Sequence, residues 1–218
     1  MDASAKLDPD ARYIQPPELR FEEIPHRYLL MPSGRELPSV TRRMHENRLG
    51  FDPTGIPEAL LERVSTRGSY VHAGTCLVDQ GDLDDERVPA ELAGYFTAYR
   101  KAIAETRFDP RVSELRLYSK QWGYAGSPDK VGMRSRWRVG WEIKTGATDD
   151  VDVQAGGYDG LWREWFPWAE IDVWECLKLN RDGTYRLWEL DVKNGLIDFH
   201  CCLRVSARRE ARGERMAA

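Results

Sequence analysis

The sequence is poor in the residues that define disulfide-rich and metal-thiolate proteins. It contains 4 cysteines and 4 histidines in 218 residues, and two of the cysteines, Cys201 and Cys202, are adjacent. Cys76 and Cys176 have no partner at the C-x2-C spacing of zinc sites or at an iron–sulfur spacing. Scattered thiols of this kind are typical of a reducing cytoplasm. We therefore expect a cytoplasmic protein with neither a disulfide framework nor an iron–sulfur cluster.

Long hydrophobic runs and an excess of positive charge are also missing. No apolar run approaches the roughly 20 residues that a membrane span needs, and residues 1–10 are polar and acidic, unlike a signal peptide. Both absences predict a soluble protein with no membrane partner. The net charge of −4 excludes a uniformly basic nucleic-acid coat, so any contact with DNA must use a local patch or a metal ion.

The chain does contain enough apolar material for one compact domain. Hydrophobic residues make up 41% of the sequence and aromatic residues 11%, which is enough for a sizeable core. We expect residues 1–20 to form a flexible N-terminal arm and residues 21–218 to form a single domain. Its core is expected at about 57–190, with an arginine-rich helix at 194–215.

The order of the predicted elements indicates the fold class. Turn residues and apolar spacing predict a short hairpin at 21–31 and a short helix that Ser39 caps. The longer predicted elements are helices at 57–79 and 89–108, strands at 112–119, 122–125, 129–133 and 137–144, a helix at 153–166, strands at 171–179 and 185–190, and a last helix from 194. This order predicts an α/β fold with a mixed central β-sheet flanked by helices.

Three charged residues occur where two of the predicted strands begin or end. Strand alternation places Glu142 and Lys144 on one face, with Ile143 pointing to the opposite face. Mg²⁺ prefers oxygen ligands, usually one or two carboxylates, so Asp129 and Glu142 are candidate ligands. A lysine on the same face can orient a water or stabilise an oxyanion. The alternative for each residue alone is a surface aspartate in a turn and a Glu–Lys pair on a solvated strand.

The spacing of these residues resembles a known family. A G-x-P-D pattern ending at Asp129 and an E-x-K-T-G pattern beginning at Glu142 resemble the PD-(D/E)XK nuclease superfamily, and look closest to its RecB-like and phage exonuclease branch. The resemblance implies a restriction-endonuclease-like αβββαβ core. It implies that both carboxylates bind one or two Mg²⁺ or Mn²⁺ ions, with help from the Ile143 carbonyl, and that Lys144 is the catalytic lysine. Thr145, in the same motif, is a candidate for DNA binding or for ordering the site.

Further motifs of the same branch lie on either side of these strands. Gln154 and Tyr158 are four residues apart, hence on one helix face, and resemble the Q-x-x-x-Y motif that faces the site and the DNA backbone. Arg67 and His72 fit an upstream R-G-x-x-V-H motif, whose histidine is a metal ligand in the family. Glu114 matches a glutamate that the branch often has near the metals. The alternatives are a structural histidine and an exposed strand carboxylate.

The resemblance implies a metal-dependent deoxyribonuclease. We expect an exonuclease that acts on linear DNA in recombination, repair or phage DNA processing. A restriction-like endonuclease and a non-catalytic DNA-binding protein that retains the nuclease core are the alternatives. DNA is the expected partner, and the resemblance is compatible with a recombinase or annealing protein as a second partner and with a homo-oligomer.

Arginine clusters and tryptophans are the candidate DNA contacts outside the motifs. The clusters that could meet phosphates are Arg134, Arg136 and Arg138; Arg42, Arg43 and Arg48; and Arg204, Arg208, Arg209, Arg212 and Arg215. A solvated helix face is the alternative for the last cluster. Trp162 and Trp165 are core candidates that could instead stack on bases.

Overall fold

The computed structural model describes residues 13–213, in which groups of strands and groups of helices follow one another along the chain. Its elements are β1 (Leu19–Glu22), β2 (Arg27–Leu30), β3 (Arg35–Leu37), α1 (Val40–His45), α2 (Glu58–Gln80), α3 (Ala90–Thr106), β4 (Asp109–Ser113), β5 (Leu117–Tyr118), β6 (Ala125–Gly126), β7 (Lys130–Arg134), β8 (Trp137–Lys144), α4 (Val151–Trp165), β9 (Val173–Leu179), β10 (Tyr185–Glu189) and α5 (Val192–Ala211). No helix within the described residues is long and apolar enough to span a bilayer.

A five-stranded mixed sheet forms the centre, in the order β10-β9-β8-β7-β4. Strands β8 and β9 are parallel, because α4 connects them, and the other neighbours are antiparallel. The α/β class with a mixed, helix-flanked sheet is therefore confirmed.

The alternation of β8 divides the core into two layers. Val139, Trp141 and Ile143 pack with α3 on one side of the sheet. On the opposite side, β9 residues such as Trp174 and Cys176 pack against α4 and α5. The even-numbered residues of β8 point to this second side, toward α4.

The predicted helix bounds agree closely with the structure. Pro57 precedes α2 and Pro89 precedes α3, as the helix-start pattern predicts. Ser39 caps α1, since its hydroxyl accepts a hydrogen bond from the Arg42 N–H at 3.0 Å. The strand at 137–144 is reproduced without a shift.

The strand predicted at 112–119 is wrong, because it is broken in the middle. Strand β4 ends at Ser113, and Glu114 has a left-handed backbone with φ of 51°. Its N–H donates to the carbonyl of Asp129, after which the chain leaves the sheet and forms β5. The alternating residues of this stretch carry no glycine or proline to indicate the turn.

The N-terminal arm predicted at residues 1–20 is wrong for its described part, and residues 1–12 lie outside the described residues. The Tyr13 ring lies 4.9 Å from that of Trp162 and 5.2 Å from that of Phe166. Leu19 is buried at the start of β1. The apolar side chains of this segment pack on the core and cover part of it. This packing holds the segment against the domain.

Two of the predicted DNA-facing arginines of the β7–β8 turn are structural instead. Arg134 donates two hydrogen bonds to Glu175, and Arg138 is buried and donates to the Glu170 carbonyl at 2.9 Å. The turn also lies at the wrong end of the hairpin, about 16 Å along β7 from Asp129. Trp162, with 0% exposure, is a core residue and cannot stack on bases.

The other arginine clusters are partly engaged in contacts between helices. Arg43 of α1 is buried and pairs with Glu46 and with Glu210 of α5. Arg209 donates to the Glu46 carbonyl at 3.0 Å. These contacts dock α5 on α1, while Arg215 lies outside the described residues.

Candidate metal centre

Three elements bring a histidine and two carboxylates together. The Nδ1 atom of His72, on α2, lies 3.2 Å from Asp129 Oδ1 and 3.4 Å from Glu114 Oε1. One potential ligand atom from each of the three residues lies within 4.8 Å of those of the other two. Asp129 immediately precedes β7 and Glu114 immediately follows β4, so the antiparallel β4–β7 pairing places these carboxylates side by side.

The orientation of Asp129 is fixed by its neighbour strand. Its Oδ2 accepts a hydrogen bond from the backbone N–H of Ile143 at 2.6 Å. Because one oxygen is held in this way, the other is directed at His72. The side chain of Ile143 is itself fully buried in the core, which anchors the backbone that holds Asp129.

Glu142 has no such support. Its side chain is 0% exposed, and neither of its two oxygens has a hydrogen-bond partner among the described residues. The nearest opposite charge is the Lys144 ammonium, 3.6 Å from Oε2. Buried carboxylate oxygens are almost always hydrogen-bonded or bound to a metal. The two oxygens of Glu142 therefore lack a partner that such groups normally have.

A chain of hydrogen bonds orients Lys144 from α4. The ammonium of Lys144 donates to Gln154 Oε1 at 2.6 Å, and Gln154 Nε2 donates to the Tyr158 hydroxyl at 3.1 Å. Gly126 makes room for the tyrosine, because a Cβ there would lie 2.6 Å from Tyr158 Cε1. Gln154 and Tyr158 therefore lie on one helix face and point toward the lysine, as their spacing predicts.

The charges of the cluster shift the pKa values of its members. Burial disfavours the imidazolium, but Asp129 and Glu114 outweigh this effect and raise the pKa of His72 to about 10. Burial acts to raise the pKa of Asp129, yet the charge and hydrogen bond of His72 leave that pKa below its ordinary value. His72 and Asp129 therefore form an ion pair in the absence of a metal.

Glu142 is perturbed in the opposite direction. Burial, followed by the charge of Asp129, raises the pKa of Glu142 well above its ordinary value. Burial and the nearby Glu142 also raise the pKa of Tyr158. A cation bound beside Glu142 would act in the opposite direction, because it favours the ionised carboxylate.

The donor set fits a hard divalent cation. The carboxylate oxygens suit Mg²⁺ or Mn²⁺, which take several oxygen ligands and neutralise adjacent carboxylates, and the His72 imidazole adds a nitrogen donor of the kind that transition-metal ions bind. Beside this three-residue cluster, the two oxygens of Glu142 have no hydrogen-bond partner among the described residues. An ion bound there would provide the partner that these oxygens lack.

Not every residue that the motifs single out joins this cluster. Arg67 lies five residues before His72, which turns it about 140° around α2. Its guanidinium lies 6.0 Å from the centre of the Tyr95 ring of α3. Thr145 lies where α2 crosses the end of β8, since a Cβ on Gly68 would be 4.0 Å from its hydroxyl.

One group beside the site was missed in the sequence. Lys130 directly follows Asp129 and is 1% exposed, with its ammonium 2.6 Å from Asp79 of α2. The signal was a lysine in a predicted apolar strand, where burial demands a charged partner.

The sequence matches no protein-family model, and no curated protein is significantly similar to it.

Proposed function

We propose that the protein is a Mg²⁺- or Mn²⁺-dependent deoxyribonuclease of the PD-(D/E)XK type. The observation that carries the proposal is the carboxyl group of Glu142, which is buried and has no hydrogen-bond partner among the described residues. It lies beside Lys144, and the charges of Asp129 and His72 both affect its pKa. A carboxylate that serves only the fold would have hydrogen-bond partners, as Glu175 on the next strand does.

The architecture is compatible with this assignment. Helix α2 leads through α3 into the antiparallel strands β4, β7 and β8, and α4 then crosses over to β9, parallel to β8. This order agrees with the αβββαβ core that the motif resemblance implies, with α3 and the β5–β6 pair as additions.

Four side chains and one backbone carbonyl are the candidate ligands of the ion. His72, Asp129 and Glu142 would bind it, with Glu114 as a further oxygen donor and the Ile143 carbonyl as a backbone ligand. When bound, the ion lowers the pKa of a water and neutralises negative charge on a phosphate. The Ile143 N–H keeps Asp129 aimed at the centre, as its 2.6 Å hydrogen bond indicates.

Lys144 is the residue that acts on the nucleophile. Its ammonium lies between Glu142 and Gln154, so it can hold a water in line with a scissile phosphate and stabilise the developing negative charge. Gln154 and Tyr158 hold the lysine in place, and Gln154, which is the more exposed of the two, would present its amide to the DNA backbone. Arg67 and Thr145 remain candidates for DNA contact or for ordering the site.

The family resemblance favours exonuclease action on linear DNA in recombination, repair or phage DNA processing. A restriction-like endonuclease and a non-catalytic DNA-binding protein with the same core are the competing functions. A binding protein has no use for a buried acidic cluster that faces phosphate, because carboxylates without a cation repel DNA.

The test uses linear and closed-circular DNA with Mg²⁺ or Mn²⁺, comparing the wild type, Lys144→Ala and Lys101→Ala. Lys101 is exposed on α3 and pairs only weakly with Glu105, at 3.9 Å, so it is a control for the loss of one lysine. We expect degradation of the linear substrate, a loss of about 10²–10³-fold for Lys144→Ala, and full activity for Lys101→Ala.

The alternatives give different results in the same assay. Cutting of the closed circle would identify an endonuclease. A wild type that binds DNA but degrades neither substrate with either metal would overturn the catalytic proposal and indicate a binding protein.

A further inference from the structure

A buried polar network lies directly behind the candidate metal centre. The Lys130 ammonium donates to Asp79 Oδ2 at 2.6 Å, to Ser113 Oγ at 3.0 Å and to Cys76 Sγ at 3.2 Å. The Tyr99 hydroxyl donates to Asp79 Oδ1 at 2.7 Å. These five residues, called the Lys130 network here, connect α2, α3, β4 and β7.

Three members of the network are close chain neighbours of the three clustered ligands. Lys130 directly follows Asp129, Ser113 directly precedes Glu114, and the cysteine of the network lies one helical turn after His72. The network therefore joins the same three elements, α2, β4 and β7, that carry the clustered ligands or end beside them.

Ser113 and Lys130 form the last paired position of β4 and β7 before the site. These residues are direct partners at the end of the β4–β7 pairing. Beyond them the chain at Glu114 turns out of the sheet with φ of 51°, held by a single backbone hydrogen bond to Asp129. The position of the Glu114 carboxylate thus depends on how firmly Ser113 is held.

Stability alone does not explain a buried lysine–aspartate pair. The desolvation of two buried charges offsets much of their attraction, so apolar replacements of such pairs are often neutral or stabilising. A buried pair does fix the distance between the elements that carry it. At this position that distance sets how closely His72, on α2, approaches the carboxylates of β4 and β7.

We propose that the Lys130 network positions the candidate metal ligands, with Lys130 and Asp79 as its central positioning residues. The inference rests on the proposed metal centre and concerns residues that do not themselves touch the ion. Partners that orient metal ligands typically contribute about 10–100-fold to metal affinity. The network is expected to act in this range.

The test is calorimetric titration of the full-length protein with Mn²⁺. The variant Asp79→Asn/Lys130→Met removes both charges together, so no unpaired charge stays buried, and the asparagine retains an acceptor for Tyr99. The control Arg134→Met/Glu175→Gln removes another ion pair of the same sheet at the far end of the β7–β8 hairpin. We expect Mn²⁺ affinity to fall about 10–100-fold in the first variant and to be unchanged in the second.

The outcomes separate this inference from the proposed function. If the wild type binds no Mn²⁺, the metal centre itself is refuted. If the wild type binds and Asp79→Asn/Lys130→Met binds equally well, the positioning role is overturned while the metal centre stands. Should that variant fail to fold, Ser113→Ala decides: a several-fold loss of affinity with an intact thermal transition supports the role, and unchanged affinity overturns it.

Discussion

Replacing Glu142 with methionine is expected to stabilise the metal-free protein. Methionine has a similar length and volume, is flexible enough to fill the same space, and carries no oxygen that needs a partner. The wild-type carboxyl group is fully buried, and neither oxygen is hydrogen-bonded among the described residues. The substitution thus removes an unsatisfied polar group without opening a cavity.

The size of the effect follows from the unpaired oxygens. A buried polar group without a partner costs about 1–3 kcal/mol, and the lost contact with Lys144 is long, at 3.6 Å. We expect a net gain in the free energy of unfolding of about 2 kcal/mol at pH 5. For a chain of this length the gain corresponds to a rise in melting temperature of about 4–8 °C.

The gain is expected to grow as the pH rises. Burial, and then Asp129, raise the pKa of Glu142 well above its ordinary value of 4.5. Above that pH the unfolded chain releases a proton that the folded protein keeps, so the wild type loses stability relative to the variant. The difference increases by up to about 1.4 kcal/mol per pH unit until the folded pKa is reached.

Glu175 provides a matched control, because it is the buried carboxylate of the adjacent strand. It accepts hydrogen bonds from Arg134 and from the Trp141 indole at 2.8 Å. Glu175→Met leaves these donors unpaired and is expected to destabilise the protein by about 3–5 kcal/mol. The assay is urea unfolding of both variants at pH 5 and pH 7, with and without Mn²⁺.

Metal should reverse the order of stability. Mn²⁺ is expected to raise the melting temperature of the wild type and to have little effect on Glu142→Met. If the metal-free Glu142→Met protein is destabilised as strongly as Glu175→Met, then Glu142 is a satisfied structural group. The central argument for a metal centre would then be refuted.

Two other substitutions test the remaining parts of the site. His72→Ala is expected to weaken Mn²⁺ binding at least about 10-fold in calorimetry. His45→Ala, at an exposed position of α1 whose imidazole makes no hydrogen bond or ion pair with the described residues, should leave binding unchanged. Equal affinities of the two variants would make His72 structural. Gln154→Ala removes the 2.6 Å acceptor of Lys144 and should lower kcat about 10-fold or more with Mn²⁺ affinity unchanged; an unaltered kcat would show that the lysine needs no such support.

Much of the fold could be predicted because its signals are local. The prolines before α2 and α3 and the serine cap of α1 are satisfied within a few residues of the chain. The shared face of Glu142 and Lys144 follows from strand alternation, and their 3.6 Å contact confirms it. The hydrogen bond between Gln154 and Tyr158 confirms their predicted helix face in the same way.

The errors arise where long-range contacts decide the structure. The turn at Glu114 occurs at an ordinary residue and depends on the backbone of Asp129, fifteen positions further along the chain. The arginine cluster of the β7–β8 turn has the composition of a phosphate-binding site, yet Arg134 forms an ion pair with Glu175 of β9. Tyr13, in the predicted arm, packs on Trp162 of α4 and on Phe166, which directly follows this helix.

Asp129 and Lys130 show how one chain step can serve both sides of the sheet. The aspartate is directed at His72 and is held by a β8 backbone N–H, while the lysine points the opposite way and binds Asp79 on the same helix as His72. Helix α2 is therefore tied to the start of β7 through two adjacent residues, by His72 to Asp129 and by Asp79 to Lys130. A displacement of α2 that opens the candidate metal centre must also break the buried lysine–aspartate pair, so the carboxylates can be held close together before any cation neutralises them.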